Sequence, residues 1–114
     1  MVVREFSPLG GLELYAFKLV EGLLERGVKV TVVCQDESAA SRRAGLTVVK
    51  IDHAPPGTSR SDKIAFLQER FTRAVGRLKD LDLVHSQHAP IRSPDVVTYH
   101  NHTVHRLSQV GFGW

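Results

Sequence analysis

The segment that most constrains the fold is residues 28–34, VKVTVVC, in which every side chain except Lys29 is β-branched or apolar. A strand that is apolar on both faces is typical of a parallel sheet covered on both sides. The residues directly before it, 12–26, repeat apolar side chains at helical spacing, at Leu12, Ala16, Leu19, Val20 and Leu23. Gly27 ends that run, so the sequence predicts a helix that leads straight into a buried strand.

The same alternation continues along the rest of the chain. Further strands are predicted over residues 2–6, 46–51, 82–86 and 95–99. A second helix is predicted over residues 62–79, and another from Thr103 towards the C-terminus. Strands that alternate with helices or long connections predict an α/β domain with a parallel sheet. We expect the first strand to be central in it.

Length, charge and cysteine content narrow the class of protein. The chain has 114 residues, of which 42% are hydrophobic, so it fits one globular domain rather than two. The formal net charge of +3 is too small to favour a nucleic-acid partner, and none is expected. Cys34 is the only cysteine, which excludes an intrachain disulfide. No apolar run suggests a signal peptide or a membrane span, and a cytoplasmic location is expected.

Polar segments follow four of the predicted strands: SPLGG, QDES, HSQHAP and HNHT. The carboxyl ends of parallel strands meet at one rim of the sheet, where ligands bind. Gly10 and Gly11 stand where the first helix begins, and the backbone N–H groups of Gly11, Leu12 and Glu13 are expected to be the unpaired donors of its first turn. These groups suit a phosphate or diphosphate. The alternative is a plain tight turn that needs glycine for positive φ.

Two familiar nucleotide motifs are incomplete in this sequence. A nicotinamide site is one candidate, because Asp36 follows the second strand and can reach a ribose. That site uses G-x-G-x-x-G, however, and the chain offers only PLGGLELYA. A Walker loop is also excluded, since no G-K-[ST] follows the glycines. A non-catalytic nucleotide- or phosphate-binding α/β module stays open as an alternative function.

Three motifs together resemble the family 4 retaining glycosyltransferases, which have the GT-B fold. The segment SPLGGLELYAFKLVEGLLERGVKVTVV resembles the opening of those enzymes at Pro8, Gly10, Gly11, Glu13, Arg26, Gly27 and Val30. It departs at Val28, where the family usually has histidine. The segments DLDLVHSQHAP and DVVTYHNHT resemble two later motifs, D-[VL]-[VI]-H-x-H and V-T-x-H-[DN]. The three segments occur in the family's order and cover most of the chain.

The resemblance implies a function and an architecture. Residues 1–114 would form the N-terminal, acceptor-side Rossmann-like domain, a three-layer parallel sheet flanked by helices. The terminal QVGFGW looks like an interruption of that domain. A C-terminal donor-binding domain would be missing from this chain. The whole enzyme would transfer a sugar, as a hexosyltransferase, from a nucleotide-diphosphate sugar to a glycan or lipid-linked acceptor with retention. No cofactor beyond the donor substrate is implied.

The resemblance also implies roles for individual residues. Gly10 and Gly11 would approach the donor diphosphate, whose charge grows as the glycosidic bond breaks. His100 would lie beside the donor sugar as the catalytic residue, although no protein nucleophile is assigned. The acceptor and the cleft would be contacted by Glu13, by His85 and His88 after the fourth strand, and by Asn101.

Two further features have competing interpretations. His100, His102 and His105 can be seen as metal ligands, but no cysteine or Glu-x-x-His pattern supports zinc, and no metal is expected. His102 and His105 are better explained as exposed helix residues. The second helix carries a basic stripe at Lys63, Arg70, Arg73 and Arg77. The stripe fits peripheral contact with the inner face of a membrane or, more simply, an ordinary solvated helix face.

Overall fold

The computed structural model describes residues 1–38, 43–87 and 89–98, except for the side chain of Leu12. In this part of the chain the elements are β1 (Glu5–Phe6), α1 (Gly11–Glu25), β2 (Val30–Cys34), β3 (Asp36–Glu37), β4 (Leu46–Lys50), α2 (Arg60–Gly76), β5 (His85–Gln87) and β6 (Val96–Thr98). The fold is a small α/β arrangement of short strands and two helices. The helix predicted from Thr103 lies outside the described residues.

The strands pair in parallel throughout the described ranges. β2 pairs with β4, β5 pairs with β6, and β1 pairs with β3. Val2, just before β1, bridges Val33 of β2 on one side and Ser86 of β5 on the other. The order across the sheet is therefore β4, β2, the first segment, β5, β6. The predicted parallel pairing and the central position of the first strand are confirmed.

Two apolar clusters pack against the helices. The first joins Ala16, Phe17 and Val20 of α1 to the sheet, including Val32. The second joins Leu67 and Phe71 of α2 to other sheet residues, including Val33. All of these side chains are at most 6% exposed.

The helix boundaries follow local signals that the periodicity did not contain. Residues 60 and 61 belong to α2, because the hydroxyl of Ser59 accepts a hydrogen bond from the N–H of Asp62 at 3.2 Å and caps the helix. α2 ends at Gly76, three residues before the predicted end. α1 begins one residue early, at Gly11, and ends at Glu25, before Gly27 turns the chain with a φ of +80°.

Several strand predictions need correction. The QDES segment was expected to be a loop, but its Asp36 and Glu37 form β3, because Gln35 interrupts β2 and the chain then pairs again with β1. β2 begins at Val30 rather than Val28, which is 45% exposed. β4 ends at Lys50, one residue before the predicted end, and β6 (Val96–Thr98) begins one residue after the predicted start.

The fourth predicted strand is displaced towards the C-terminus. It was expected over residues 82–86, but β5 covers His85–Gln87. Val84 instead contacts the turn before β6: its N–H donates to the carboxylate of Asp95 at 2.7 Å, and its carbonyl accepts from the N–H of Asp95 at 2.8 Å.

Candidate functional site

The two glycines before α1 differ in what the fold requires of them. Gly10 is the N-cap residue of α1 and has a φ of +83° and a ψ of 164°, a conformation that essentially only glycine adopts. A Cβ added there would also collide with the carboxylate of Glu13. Gly10 is therefore required by the turn itself, as the tight-turn interpretation expected.

Gly11 has neither constraint. Its φ is not positive, and a Cβ added to it would meet no atom of the described residues within 4 Å. Gly11 is exposed and is the first residue of α1, so its face of the helix opens directly to solvent. The first turn of a helix carries backbone N–H groups without partners inside the helix and the positive end of the helix dipole. The described part of the fold would therefore accept a side chain at this position.

A cavity of about 510 Å³ lies at the carboxyl ends of the strands, beside the first turn of α1. We call it the rim cavity. Glu13 of α1, the β3 region, the loop after β4 and the first turn of α2 all contribute to its wall, through residues that include Glu13, Gln35, Asp36, His53, Lys63 and Gln87. Of the four polar segments expected at this rim, QDES contributes Gln35 and Asp36 and HSQHAP contributes Gln87, whereas HNHT lies outside the described residues.

Gln35 has the most unusual environment in the rim cavity. The residue is 5% exposed, and its amide nitrogen Nε2 is buried without a hydrogen-bond partner in the described part of the chain. An unpaired buried amide costs roughly 1–3 kcal/mol relative to a satisfied one.

Asp36 and His53 form a polar pair in the same wall. The ring Nε2 of His53 lies 3.0 Å from Oδ1 of Asp36. An ionised carboxylate only accepts hydrogen bonds, so Nε2 carries the hydrogen and donates it. Both side chains are more than half exposed, so the pair contributes little to stability and its polar atoms stay accessible.

The sequence interpretation missed three of these wall residues. Gln35 lay in a segment that was singled out only for the acidic residue next to it. His53 lay in a stretch assigned only as a loop, and Lys63 was considered only as part of a basic helix face. Position along the chain could have indicated His53, because this residue follows the strand 46–50, and the carboxyl end of that strand reaches the rim.

His85 does not lie with Glu13. It was expected to follow the fourth strand, but it is the first residue of β5 and lines a different cavity, of about 640 Å³, at the amino ends of the strands. We call this the amino-end cavity. The ring Nε2 of His85 lies 2.6 Å from Oγ1 of Thr98. Burial, and then the Met1 ammonium, lower the pKa of His85. The expected place of His85 at the rim is wrong.

The remaining predicted residues cannot be placed. His88, His100 and Asn101 lie outside the described residues, and so do His102 and His105 of the suggested metal site. Gly10, Gly11 and Glu13 do lie together, at the start of α1. Where the structure describes the chain, it contains no group of three His, Cys, Asp or Glu residues arranged to hold a metal ion.

The basic stripe of α2 is partly engaged in contacts on its own helix. The guanidinium of Arg70 lies 4.8 Å from the ring centroid of Phe66, and Arg73 forms an ion pair with Glu69. Both contacts favour an ordinary solvated helix face over a surface reserved for lipid. No described helix is both long and apolar enough to cross a membrane.

Together these features define an α/β protein with parallel strands, whose polar cavity adjoins an open helix N-terminus at the carboxyl rim of the sheet. The sequence model of one family, described as Glycosyltransferase Family 4, matches residues 9–113, which include both glycines and Glu13. The chain therefore belongs to glycosyltransferase family 4, and the match supports its identification as an N-terminal domain of that family. No curated protein and no solved structure matches the chain.

Proposed function

We propose that this chain is the acceptor-side part of a retaining glycosyltransferase that takes its sugar from a nucleotide-diphosphate donor. The Rossmann-like, three-layer half of a GT-B fold fits the two apolar clusters. Successive strand residues face opposite sides of a sheet, and the neighbours Val32 and Val33 belong to the clusters of α1 and α2 respectively. The central first strand agrees with the strand order of such folds.

One observation carries the proposal: Gly11 opens α1 on an exposed surface although the fold would accept a side chain there. When the glycosidic bond of the donor breaks, the departing nucleoside diphosphate gains negative charge. Backbone N–H groups and the helix dipole at the start of α1 would stabilise that charge, provided that nothing blocks the approach of the phosphate oxygens.

The other roles follow from the family and are part of the proposal. His100 is assigned beside the donor sugar as the catalytic residue, with Glu13, His88 and Asn101 facing a glycan or lipid-linked acceptor. A hexose is the proposed transferred group, and the donor nucleotide would be held mainly by a C-terminal domain on another stretch of polypeptide. We place the reaction in the cytoplasm, at or near the inner face of the membrane if the acceptor is lipid-linked.

The test is a matched pair of substitutions in the enzyme that contains this chain and its donor domain. Gly11→Val should lower sugar transfer by about 100-fold or more, the usual effect of losing a donor that stabilises developing charge. Gly22→Val is the control, because a Cβ at Gly22 also meets no described atom within 4 Å. Gly22 lies in the last turn of α1, away from the rim cavity.

Three measurements on Gly11→Val, Gly22→Val and the unsubstituted protein separate effects on folding, binding and transfer. Thermal unfolding should show that both variants fold. Titration with uridine- and guanosine-diphosphate sugars should show weak binding by residues 1–114 alone and no transfer without the donor domain. Normal transfer by folded Gly11→Val would refute the proposal. Diphosphate binding with no transfer by the complete polypeptide would favour the non-catalytic phosphate-binding module.

A further inference from the structure

We propose that the amino-end cavity is a docking slot for an extended apolar stretch of polypeptide, which continues the first segment (residues 1–3) beyond Met1 and pairs in parallel with β2 and β5. The inference goes beyond the proposed function. It concerns the end of the sheet opposite to Gly11 and does not depend on sugar transfer.

The first argument is the direction of two backbone N–H groups. In a parallel ladder, the N–H and the carbonyl of one residue point to the same neighbouring strand. The carbonyl of Thr31 accepts from the Met1 nitrogen at 2.9 Å, and the carbonyl of His85 accepts from the N–H of Val2 at 2.7 Å. The N–H groups of Thr31 and His85 therefore also face the line of the first segment. Among the described residues no strand lies beside them there, so each can pair with an added carbonyl.

The second argument is register. Met1 exchanges hydrogen bonds with Thr31 and Val33 of β2, whereas Val2 exchanges them with His85 and Gln87 of β5. If this alternation continues towards lower numbers, the residue directly before Met1 pairs with the N–H of His85. The residue before that one pairs with the N–H of Thr31. An added stretch of polypeptide thus finds both partners without any change in the pairing of the sheet.

The third argument is the apolar lining on both faces of the sheet. Met1 packs against the cluster of α1, and Val2 belongs to the cluster of α2. Because successive strand residues face opposite sides, the residue directly before Met1 would face α2 and the one before it would face α1. Leu78 lines the cavity on the side of α2, and Leu23 lines it on the side of α1. Apolar side chains therefore suit both added positions.

The fourth argument is the exposed apolar surface around the same cavity. Val28, Leu81 and Leu83 all line it, and they are 45%, 42% and 58% exposed. Exposed apolar residues that cluster, rather than occur singly, mark a surface that another group covers. A strand placed between β2 and β5 would cover the part of these side chains that faces the cavity.

The Met1 nitrogen favours a joined segment over a separate peptide. Its hydrogen bond to the carbonyl of Thr31 is the one that a backbone amide makes in a parallel ladder. As an ammonium, this group loses hydration through burial, which lowers its pKa to about 6. An amide carries no charge and keeps the hydrogen bond. Polypeptide joined to this nitrogen therefore fits the cavity better than a chain that would have to end against it.

The experiment compares the 114-residue chain with two versions that are extended before Met1. One version carries Met-Ile-Val, and the other carries Met-Ser-Gly as a polar control of equal length. Amide hydrogen exchange, followed by nuclear magnetic resonance, is measured at Thr31 and His85. The N–H of Lys50 is the internal control. Its neighbour Ile51 donates to the carbonyl of Cys34 in β2, so the N–H of Lys50 points to the other edge of β4.

We expect Met-Ile-Val to slow exchange at Thr31 and His85 by about tenfold or more relative to Lys50, the effect of one added hydrogen bond and its covering side chains. The urea midpoint of the whole chain should rise as well, and Met-Ser-Gly should have a smaller effect on both. If the unextended chain unfolds too readily for exchange measurements, folding restored by Met-Ile-Val but not by Met-Ser-Gly is the equivalent result.

Four outcomes would overturn the inference. The first two are unchanged exchange at Thr31 and His85 in the Met-Ile-Val version, and equal protection by Met-Ser-Gly. The third is protection by a separate acetyl-Ile-Val-amide peptide that the joined extension does not reproduce. The fourth is protection in the unextended chain that grows with protein concentration, which would assign the cavity to a second copy. None of these measurements involves Gly11 or sugar transfer, so the proposed function is tested separately.

Discussion

The two ends of the sheet carry cavities of comparable size with opposite chemistry. The rim cavity, at the carboxyl ends, is lined by amide, carboxylate, imidazole and ammonium groups. The amino-end cavity is lined largely by apolar residues, among them Leu23, Val28, Leu78, Leu81 and Leu83. Its titratable groups include the Met1 ammonium and His85, and burial lowers the pKa of both.

The two ends of the sheet differ in whether their polar side chains have partners inside the protein. At the carboxyl ends, the side chains of Asp36 and His53 are exposed, and among the described residues the Gln35 amide nitrogen has no partner and Gly11 has no neighbour that requires glycine. At the amino ends, the Met1 ammonium and the His85 ring have partners inside the protein: the ammonium donates to the carbonyl of Thr31, and the ring contacts Thr98. His85 and His53 lie at opposite ends of the sheet, so the presence of a histidine does not distinguish the two ends.

The largest effect on stability that bears on this comparison is expected at the glycine pair. Gly10→Ala should lower the free energy of unfolding by up to about 3 kcal/mol, because its backbone conformation is strained for any residue other than glycine. Gly11→Ala should change it by less than about 0.5 kcal/mol, since alanine is the better helix former. Urea unfolding of both variants measures the contrast. Equal losses would show that both glycines serve the turn.

The amino-end cavity should make stability depend on pH. Burial lowers the pKa of the Met1 ammonium from its ordinary value of 8.0 to about 6. Between these values the unfolded chain binds a proton that the folded chain does not, so stability rises as pH rises. His85, also with a lowered pKa, acts in the same direction near the lower end of this window. We expect a gain of about 2 kcal/mol from pH 6 to pH 8.

Urea unfolding across that range measures this dependence. An added N-terminal residue, which turns the Met1 nitrogen into an amide, is the control and should remove most of the slope. Stability that stays flat or falls over the same range would contradict the assignment of a buried amine at this end.

The smallest effect on stability is expected at the Asp36–His53 pair. Each of Asp36→Asn and His53→Gln should change the free energy of unfolding by less than about 1 kcal/mol, because both side chains are exposed and exposed pairs contribute little. The acceptor KM should nevertheless rise in both variants. Calorimetry and transfer kinetics on the same samples test the contrast. A large loss of stability with normal kinetics would make this pair structural, like the groups at the amino end.

The sequence predicted those parts of the fold that depend on local patterns. Periodicity was sufficient for α1, α2 and the strand 30–34, because each buries a stripe that is visible in the residue order. β3 was missed because its two residues pair only through contact with β1, which no local pattern encodes. His85 was misplaced because the start of β5 depends on Val2, whose N–H donates to the His85 carbonyl from the other end of the described chain.

The site was predicted in outline for similar reasons. Position after a strand indicated the rim, and motif resemblance indicated Gly10, Gly11 and Glu13. The distinction between the two glycines depends on backbone angles and on the placement of the Glu13 carboxylate, so it required the structure. Gln35 looked ordinary in the sequence, because its burial and the missing partner of its amide among the described residues are properties of the fold.

The position of Val2 between Val33 and Ser86 has a consequence for synthesis on the ribosome. Within the described residues, the middle of the sheet is translated before both of its neighbours, and one of them, β5, emerges only after both described helices have been made. Until then, the edge of the first segment that will face β5 stays open to other strands, including those of nearby nascent chains. A low growth temperature and co-expression of chaperones should therefore improve the yield of folded protein.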